Sequence, residues 1–387
     1  MVNKFKQSFA NKDASLLLLI TALFWFAQYA YMPYVNPVLG HMGTTAFFMG
    51  LVSGAYGLTQ FILRVPLGLG ANKIGKKRCV AAGCLLSATA SFSMFFISHP
   101  AAYLIGRGLA GVASSTWVAF TILYSTYFPF EQSGASIIML NVSNQTGRFF
   151  AFILAGAAVF MFGPGAAFAL AGIFGVIAFT LALFAADHST ANKMVSLHDF
   201  IEVIKNPNLL LTSLYSIISQ IIAFSTFQTF TSNHAVSIGM RMEQLSYVNL
   251  IVLIPAVVCG YLLSKYLLRR ISTEALVAAG FLLLAVYCFA TPLTVNARQL
   301  YMVSILAGMG LSFTLDIFLG QCVRDIPLDK RSAAMGFFQA AYSIGMTLGP
   351  VIMGWLTDIF SLKSGFTMMS AISLLAAVSV PAVYRKK

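Results

Sequence analysis

Apolar residues run along most of this chain in blocks of spanning length. The blocks fall at 14–38, 45–69, 78–98, 101–126, 134–160, 164–186, 209–231, 244–264, 273–292, 299–322, 332–359 and 364–384. Polar breaks that carry Pro, Gly, Asn and charge separate them, as loops should. About 20 apolar residues suffice to cross the hydrocarbon core as a helix. The pattern therefore predicts an all-α membrane protein with twelve transmembrane helices. The narrowest breaks lie at His99-Pro100 and Gly163-Pro164.

Composition agrees. Of 387 residues, 59% are hydrophobic and 9% are charged. A soluble domain carries about a quarter of its residues as charges, so this chain cannot cover a water-facing surface of its size. The formal net charge of +13 raises the question of nucleic acid, and the distribution of that charge answers it. With the N-terminus inside, eighteen Lys and Arg fall in cytoplasmic segments and only Arg241, Arg298 and Lys363 fall outside. That bias is the positive-inside rule. It is a topology signal and a contact with anionic headgroups, and no nucleic-acid partner is expected. The basic start of the chain leads into an apolar run too long for a signal-peptide core and without a small-residue cleavage site, so it reads as a retained first span. Cys79, Cys84, Cys259, Cys288 and Cys322 are scattered, which gives neither a disulfide framework nor a metal site.

The longest internal polar stretch, 187–208, divides the chain nearly in half. It is expected to be a cytoplasmic linker between an N-terminal six-helix bundle, 1–186, and a C-terminal one, 209–387. Within it, residues 195–205 have apolar positions at helical spacing, which suits a short helix on the membrane surface. The halves look weakly related. A shift of 198 places Gly147 on Gly345 and Gly156 on Gly354, and a shift of 192 places Gly68 on Gly260 and Lys73 on Lys265. Six spans plus six is the arrangement of parallel-repeat transporters.

The segment after span 2 reads Gly68-Leu-Gly-Ala-Asn72-Lys73-Ile-Gly75-Lys76-Lys77-Arg78. It resembles the signature loop of the major facilitator superfamily, G-x-x-x-D-R-x-G-R-R. Arg107-Gly-Leu-Ala-Gly111 in span 4 is similar to the family's R-x-x-x-G pattern. Gly345-x-x-x-Gly349-Pro350 and Gly354-x-x-x-Asp358 in span 11 share its cadence. The resemblance covers the whole chain and implies two pseudo-symmetric six-helix bundles, with spans 1, 4, 7 and 10 lining a central path. It also implies a gating role for Gly68, Asn72, Lys73, Gly75, Lys76 and Arg78. The family's acidic residue is here Asn72, which can hydrogen-bond but cannot form an ion pair. Subfamily marks are missing. There is no Gly-Pro pair in span 5, no PESPR-like run after span 6 and no ExxER in span 1.

Ionisable groups inside spans are expensive and usually functional. Ten of the acids fall in loops or near span ends, and only Asp316, in span 10, lies well inside. A carboxyl withdrawn from water favours its neutral form, so Asp316 is the candidate for proton coupling, with a structural ion pair as the alternative. Arg64 lies close enough to the end of span 2 to snorkel to headgroups. Arg107 and Arg148 come to about the same depth in adjacent spans at 1.5 Å per residue. Two guanidinium forks at one level suit a carboxylate or phosphate; the alternative is that each bonds to helix carbonyls or neighbouring amides. Polar and aromatic residues on the expected path give Gln28, Tyr29, Tyr31, Trp117, Asn144, Gln228, Gln339 and Tyr342 as further substrate-binding candidates, with helix-to-helix hydrogen bonding as the alternative for each. Pro33, Pro37 and Pro350 can bend spans 1 and 11.

No nucleophile elbow, zinc-protease helix or phosphate loop is present, so no enzyme activity and no cofactor are expected. The reading is a bacterial-type inner-membrane carrier with both termini cytoplasmic, working as a monomer by alternating access. Its partners would be the lipid bilayer, a small organic solute with organic anions among the candidates, and protons. A polyspecific exporter of drugs or amphiphiles is the alternative. A membrane sensor on the same scaffold would bind a solute without moving it.

Overall fold

The structure, a computed structural model, describes residues 11–128, 133–187, 197–327 and 330–384, and not the side chains of residues 68–73, 133–137, 197–199 and 384. Among the described residues every regular element is helical. Eleven helical segments are long and apolar enough to cross a membrane: Lys12–His41, Ala46–Leu67, Lys76–Phe96, Pro100–Ser125, Ile138–Phe162, Gly165–Ala182, Pro207–Ser237, Met242–Arg269, Thr273–Leu293, Ala297–Gln321 and Leu362–Val383. The remaining expected span is a 29-residue helix, Arg331–Ile359. It is less apolar than the eleven, and it is span 11 in the numbering used below. Large apolar side chains on the outer faces, such as Phe162, Phe184, Leu375 and Val378, are 69–75% exposed, as a lipid-facing belt requires.

Caps set the span boundaries. Asn11 Oδ1 accepts from the backbone N–H groups of Asp13 and Ala14 at the start of span 1. Asn206 Oδ1 does the same for Asn208 and Leu209 at the start of span 7, where Pro207 opens the helix. An Asn cap satisfies donors that the first helical turn leaves free. The two narrow breaks are real. His99 caps the helix that starts at Pro100, and Gly163, at φ +83°, turns the chain between spans 5 and 6.

The signature segment after span 2 departs from its expected form. The helix that begins at Ala46 continues to Ile74, so Gly68, Asn72 and Lys73 have helical backbone and are not in a loop. Nothing between Pro66 and Gly75 stops a helix, and the turn is Gly75 alone, at φ +99°, a conformation that glycine adopts readily. Lys76, expected at the headgroups, is buried, while Arg78 is exposed. The side chains of Asn72 and Lys73 lie outside the described residues.

Span pairings repeat from one half to the other. Span 1 packs on 5 and 6, span 3 on 4 and 6, and span 2 on 4; span 7 packs on 11 and 12, span 9 on 10 and 12, and span 8 on 10. Between the halves, span 2 meets 11 and span 5 meets 8. The glycine repeat follows the same symmetry. Gly147 is pressed on Ala22 of span 1, and Gly345 on Ile217 and Ile221 of span 7. Gly156 faces Glu243 and Ser246 of span 8, and Gly354 faces Ala46 and Phe47 of span 2.

The linker contains the helix Leu197–Ile204. It docks on span 11, with Phe200 edge-on to Phe337 at 6.1 Å and Glu202 paired with Lys330 at 2.6 Å.

Candidate substrate cavity

Four spans lose regular α-helical geometry near mid-membrane. Span 1 breaks after Tyr29 into a 3-10 turn, Met32–Tyr34, with Pro33 inside it. Span 4 breaks at Thr116, between Pro100–Ser115 and Trp117–Ser125. Spans 7 and 10 each contain a π turn, Thr226–Phe230 and Ser312–Asp316. Such turns re-aim side chains and are frequent at functional sites. These are spans 1, 4, 7 and 10, and both π turns contribute to one cavity.

That cavity has a volume of about 730 Å³ and lies between spans 5, 7, 8 and 10. Asn141, Gln145 and Arg148 line it from one face of span 5; Phe227 and Gln228 come from the π turn of span 7, Asn249 from span 8, and Ser312 and Asp316 from span 10. Asp316 is open to the cavity. Its Oδ2 accepts a hydrogen bond from Ser312 Oγ at 2.6 Å. Gly260 leaves room for that carboxylate, since a Cβ there would meet Oδ2 at 3.0 Å. Arg148 lies 4.2 Å over the Tyr29 ring, and its Nη1 donates to Gln145 Oε1 at 2.9 Å. Among the described residues its Nε has no partner, and neither does Asn144 Oδ1. Among the described residues no ion pair joins Arg148 to Asp316, so one guanidinium and one carboxylate face a shared space from different halves.

Arg107 does not line this cavity. It is buried, 4.5 Å over the Tyr56 ring, and Tyr31 lies within its Coulombic reach. Arg148 stacks on Tyr29 instead, so the two guanidiniums sit on different rings and only that of Arg148 lines the cavity. Gln28 donates to Ser87 Oγ in span 3 at 3.2 Å. Tyr31 stacks on Phe168, and Trp117 meets Trp25 edge-on. These three residues sit inside the first half.

Arg64 does not snorkel. It is 5% exposed, and its Nη1 donates to the Gln339 carbonyl at 3.2 Å and to Tyr342 Oη at 2.8 Å, across the two halves. Gln339 and Tyr342 are thus partners of Arg64. Asn249, Ser312 and Gly260 are cavity residues that sequence reasoning missed. Asn249 carried a signal, as a lone amide in an apolar stretch.

The side of the molecule away from the termini is closed. Both Asp358 carboxylate oxygens accept from span 2, from the N–H groups of Ala46 and Phe47 at 2.8 Å each. Tyr34 Oη bonds Ser246 Oγ at 2.5 Å, and Asn36 reaches the Thr229 carbonyl at 3.4 Å. Gly54 and Gly57 press on Thr347 and Met346, where an added Cβ would come within 2.7 Å of span 11 backbone.

Comparison with known proteins adds to this geometry. The model of the family described as Major Facilitator Superfamily matches residues 17–338 and 326–387. An uncharacterized MFS-type transporter of Methanocaldococcus jannaschii is 21% identical over 87% of this chain and 89% of its own. The staphylopine export protein of Staphylococcus aureus is 24% identical over 90% of each chain. In fold, the chain is similar to a bacterial homologue of the human lysosomal transporter Spinster, crystallised inward-facing and occupied. That likeness has a TM-score of 0.77, 14% identity and 96% coverage of both chains.

Proposed function

For a chain that belongs to the major facilitator superfamily, and is thus an integral membrane transporter, we propose proton-coupled movement of a small organic solute by alternating access. The bundles 1–186 and 209–387 would rock about the cavity, joined by the linker 187–208. The charge bias supports cytoplasmic termini, and in that orientation the Asp358 contact with Ala46 and Phe47 lies on the outer side. One observation carries the reading: the cavity holds Asp316 on one half and Arg148 on the other, neither in an ion pair among the described residues. Asp316 carries the proton, and Arg148 holds an acidic group of the solute with its planar donor fork. Arg107 has no part in this reading, because its guanidinium is seated on Tyr56.

Export of amphipathic compounds is a second reading, favoured by the apolar cavity walls of spans 5 and 8. Solutes that raise the melting temperature of the purified protein would be taken into proteoliposomes carrying an internal pH indicator. The carrier reading expects solute-evoked proton flux in the wild type and its loss in Asp316→Asn. Arg148→Ala is expected to raise the half-saturating concentration by about tenfold or more, the worth of a charge-assisted hydrogen bond. Unchanged flux in Asp316→Asn removes that residue from the coupling.

A further inference from the structure

Resting on the carrier reading, we propose that the substrate is a zwitterionic amphiphile. It enters sideways from the bilayer leaflet on the termini side, between spans 5 and 8.

The charges give the head. Once Asp316 has released its proton, a simple anion at Arg148 would leave that carboxylate facing it across the cavity, and a simple cation at Asp316 would leave the guanidinium unanswered. Leaving a charge unpaired in a low-dielectric space is costly. A head with an acidic and a cationic group answers both. Arg148 Nε, buried and without a partner among the described residues, is a further donor that the acidic end can satisfy directly or through water.

The walls give the tail. Val142 and Phe150 of span 5 and Ile254, Val257 and Val258 of span 8 line the same cavity and are 45–51% exposed. They flank the polar faces of their own helices. A soluble zwitterion has no use for such walls, whereas an alkyl chain gains about 0.8 kcal/mol for each buried CH₂. The packing of spans 5 and 8 gives the route. Away from the termini, Gly156 stands against Glu243 and Ser246; toward the termini the cavity separates the same two helices from Asn141 to Arg148 and from Asn249 to Gly260. The gap is a wedge that opens into one leaflet.

Binding to the full-length protein in neutral-lipid nanodiscs tests the proposal, with empty nanodiscs subtracted. The probes are radiolabelled dodecyl dimethylglycine (both charges and a chain), dodecyltrimethylammonium (cation and chain), dodecanoate (anion and chain) and glycine betaine (both charges, no chain). Dodecyl dimethylglycine is expected to bind saturably, and the other three about tenfold more weakly or worse. Arg148→Ala and Asp316→Asn are each expected to cost a similar factor. So is the double variant Val142→Trp, Val257→Trp, which fills the gap and leaves both charges in place. Equal binding of a singly charged chain overturns the zwitterion; equal binding of glycine betaine overturns the tail. Full binding in the tryptophan variant, with its melting temperature unchanged, overturns the lateral route. Proton flux reports separately on the carrier reading. Flux evoked by some other solute, with no saturable binding of dodecyl dimethylglycine, overturns this proposal and leaves the carrier intact.

Discussion

Arg64 is 5% exposed, and its guanidinium holds span 11 through a carbonyl and a phenol. Hydrogen bonds from a charged donor contribute about 1.5–3 kcal/mol each, and a cation over an aromatic ring adds to them. Arg64→Leu is therefore expected to lower the melting temperature clearly. Arg64→Lys should recover only part of the loss, because an ammonium lacks the fork that reaches both acceptors. Equal melting temperatures for wild type and Arg64→Leu would show that the contact contributes nothing. Residue-scale reading of the sequence fared unevenly. Asp316 stood out because it is the one acid deep in a span, and the structure opens it to the cavity. Arg64 was misread because its place near the end of an apolar run does not show which partners the other half offers it. Arg107 and Arg148 were joined by depth alone, and depth leaves the direction of a side chain open.

Span 2 meets span 11 along a glycine face, and no other pair of helices connects the halves so intimately. Small residues at an interface let helix backbones approach closely. Gly54→Leu would force side-chain atoms into the Thr347 carbonyl, already 2.7 Å from the position of a Cβ. It should pry this seam apart and raise labelling of an introduced Phe47→Cys from the side away from the termini; unchanged labelling would contradict that. Asp358 acts at the same end as a cap borrowed from the other half. Asp358→Ala is expected to cost the closed state about 0.5–2 kcal/mol, the worth of an N-cap, read as a greater population open on that side. Span limits were legible because apolar runs end at Asn, Pro and Gly, as at Asn11, Asn206 and Gly163. The interior breaks were mostly illegible. Pro33 announced the one in span 1, but a π turn such as Ser312–Asp316 contains no residue that forbids an α-helix.

In the whole molecule, two six-span halves with matching internal packing touch along spans 2 and 11 and part around a cavity between spans 5 and 8. Shared cadence in the sequence pointed to this symmetry. Gly147 and Gly345 serve within halves and Gly156 and Gly354 between them, so the weak repeat reflects a packing requirement. The closure was not legible, since it depends on contacts such as Asp358 to Ala46 that join residues far apart in sequence. All five native cysteines are buried, so introduced ones can carry spin labels. Pulsed electron-spin distances would be measured in liposomes for two pairs, Phe47→Cys with Phe360→Cys on the closed side and Ile138→Cys with Val258→Cys across the cavity mouth, with Asp316 or with Asn in its place. Alternating access governed by Asp316 predicts opposite changes: substitution by Asn lengthens the first distance in part of the population and shortens the second. Two distances that stay fixed, or that lengthen together, would contradict the account.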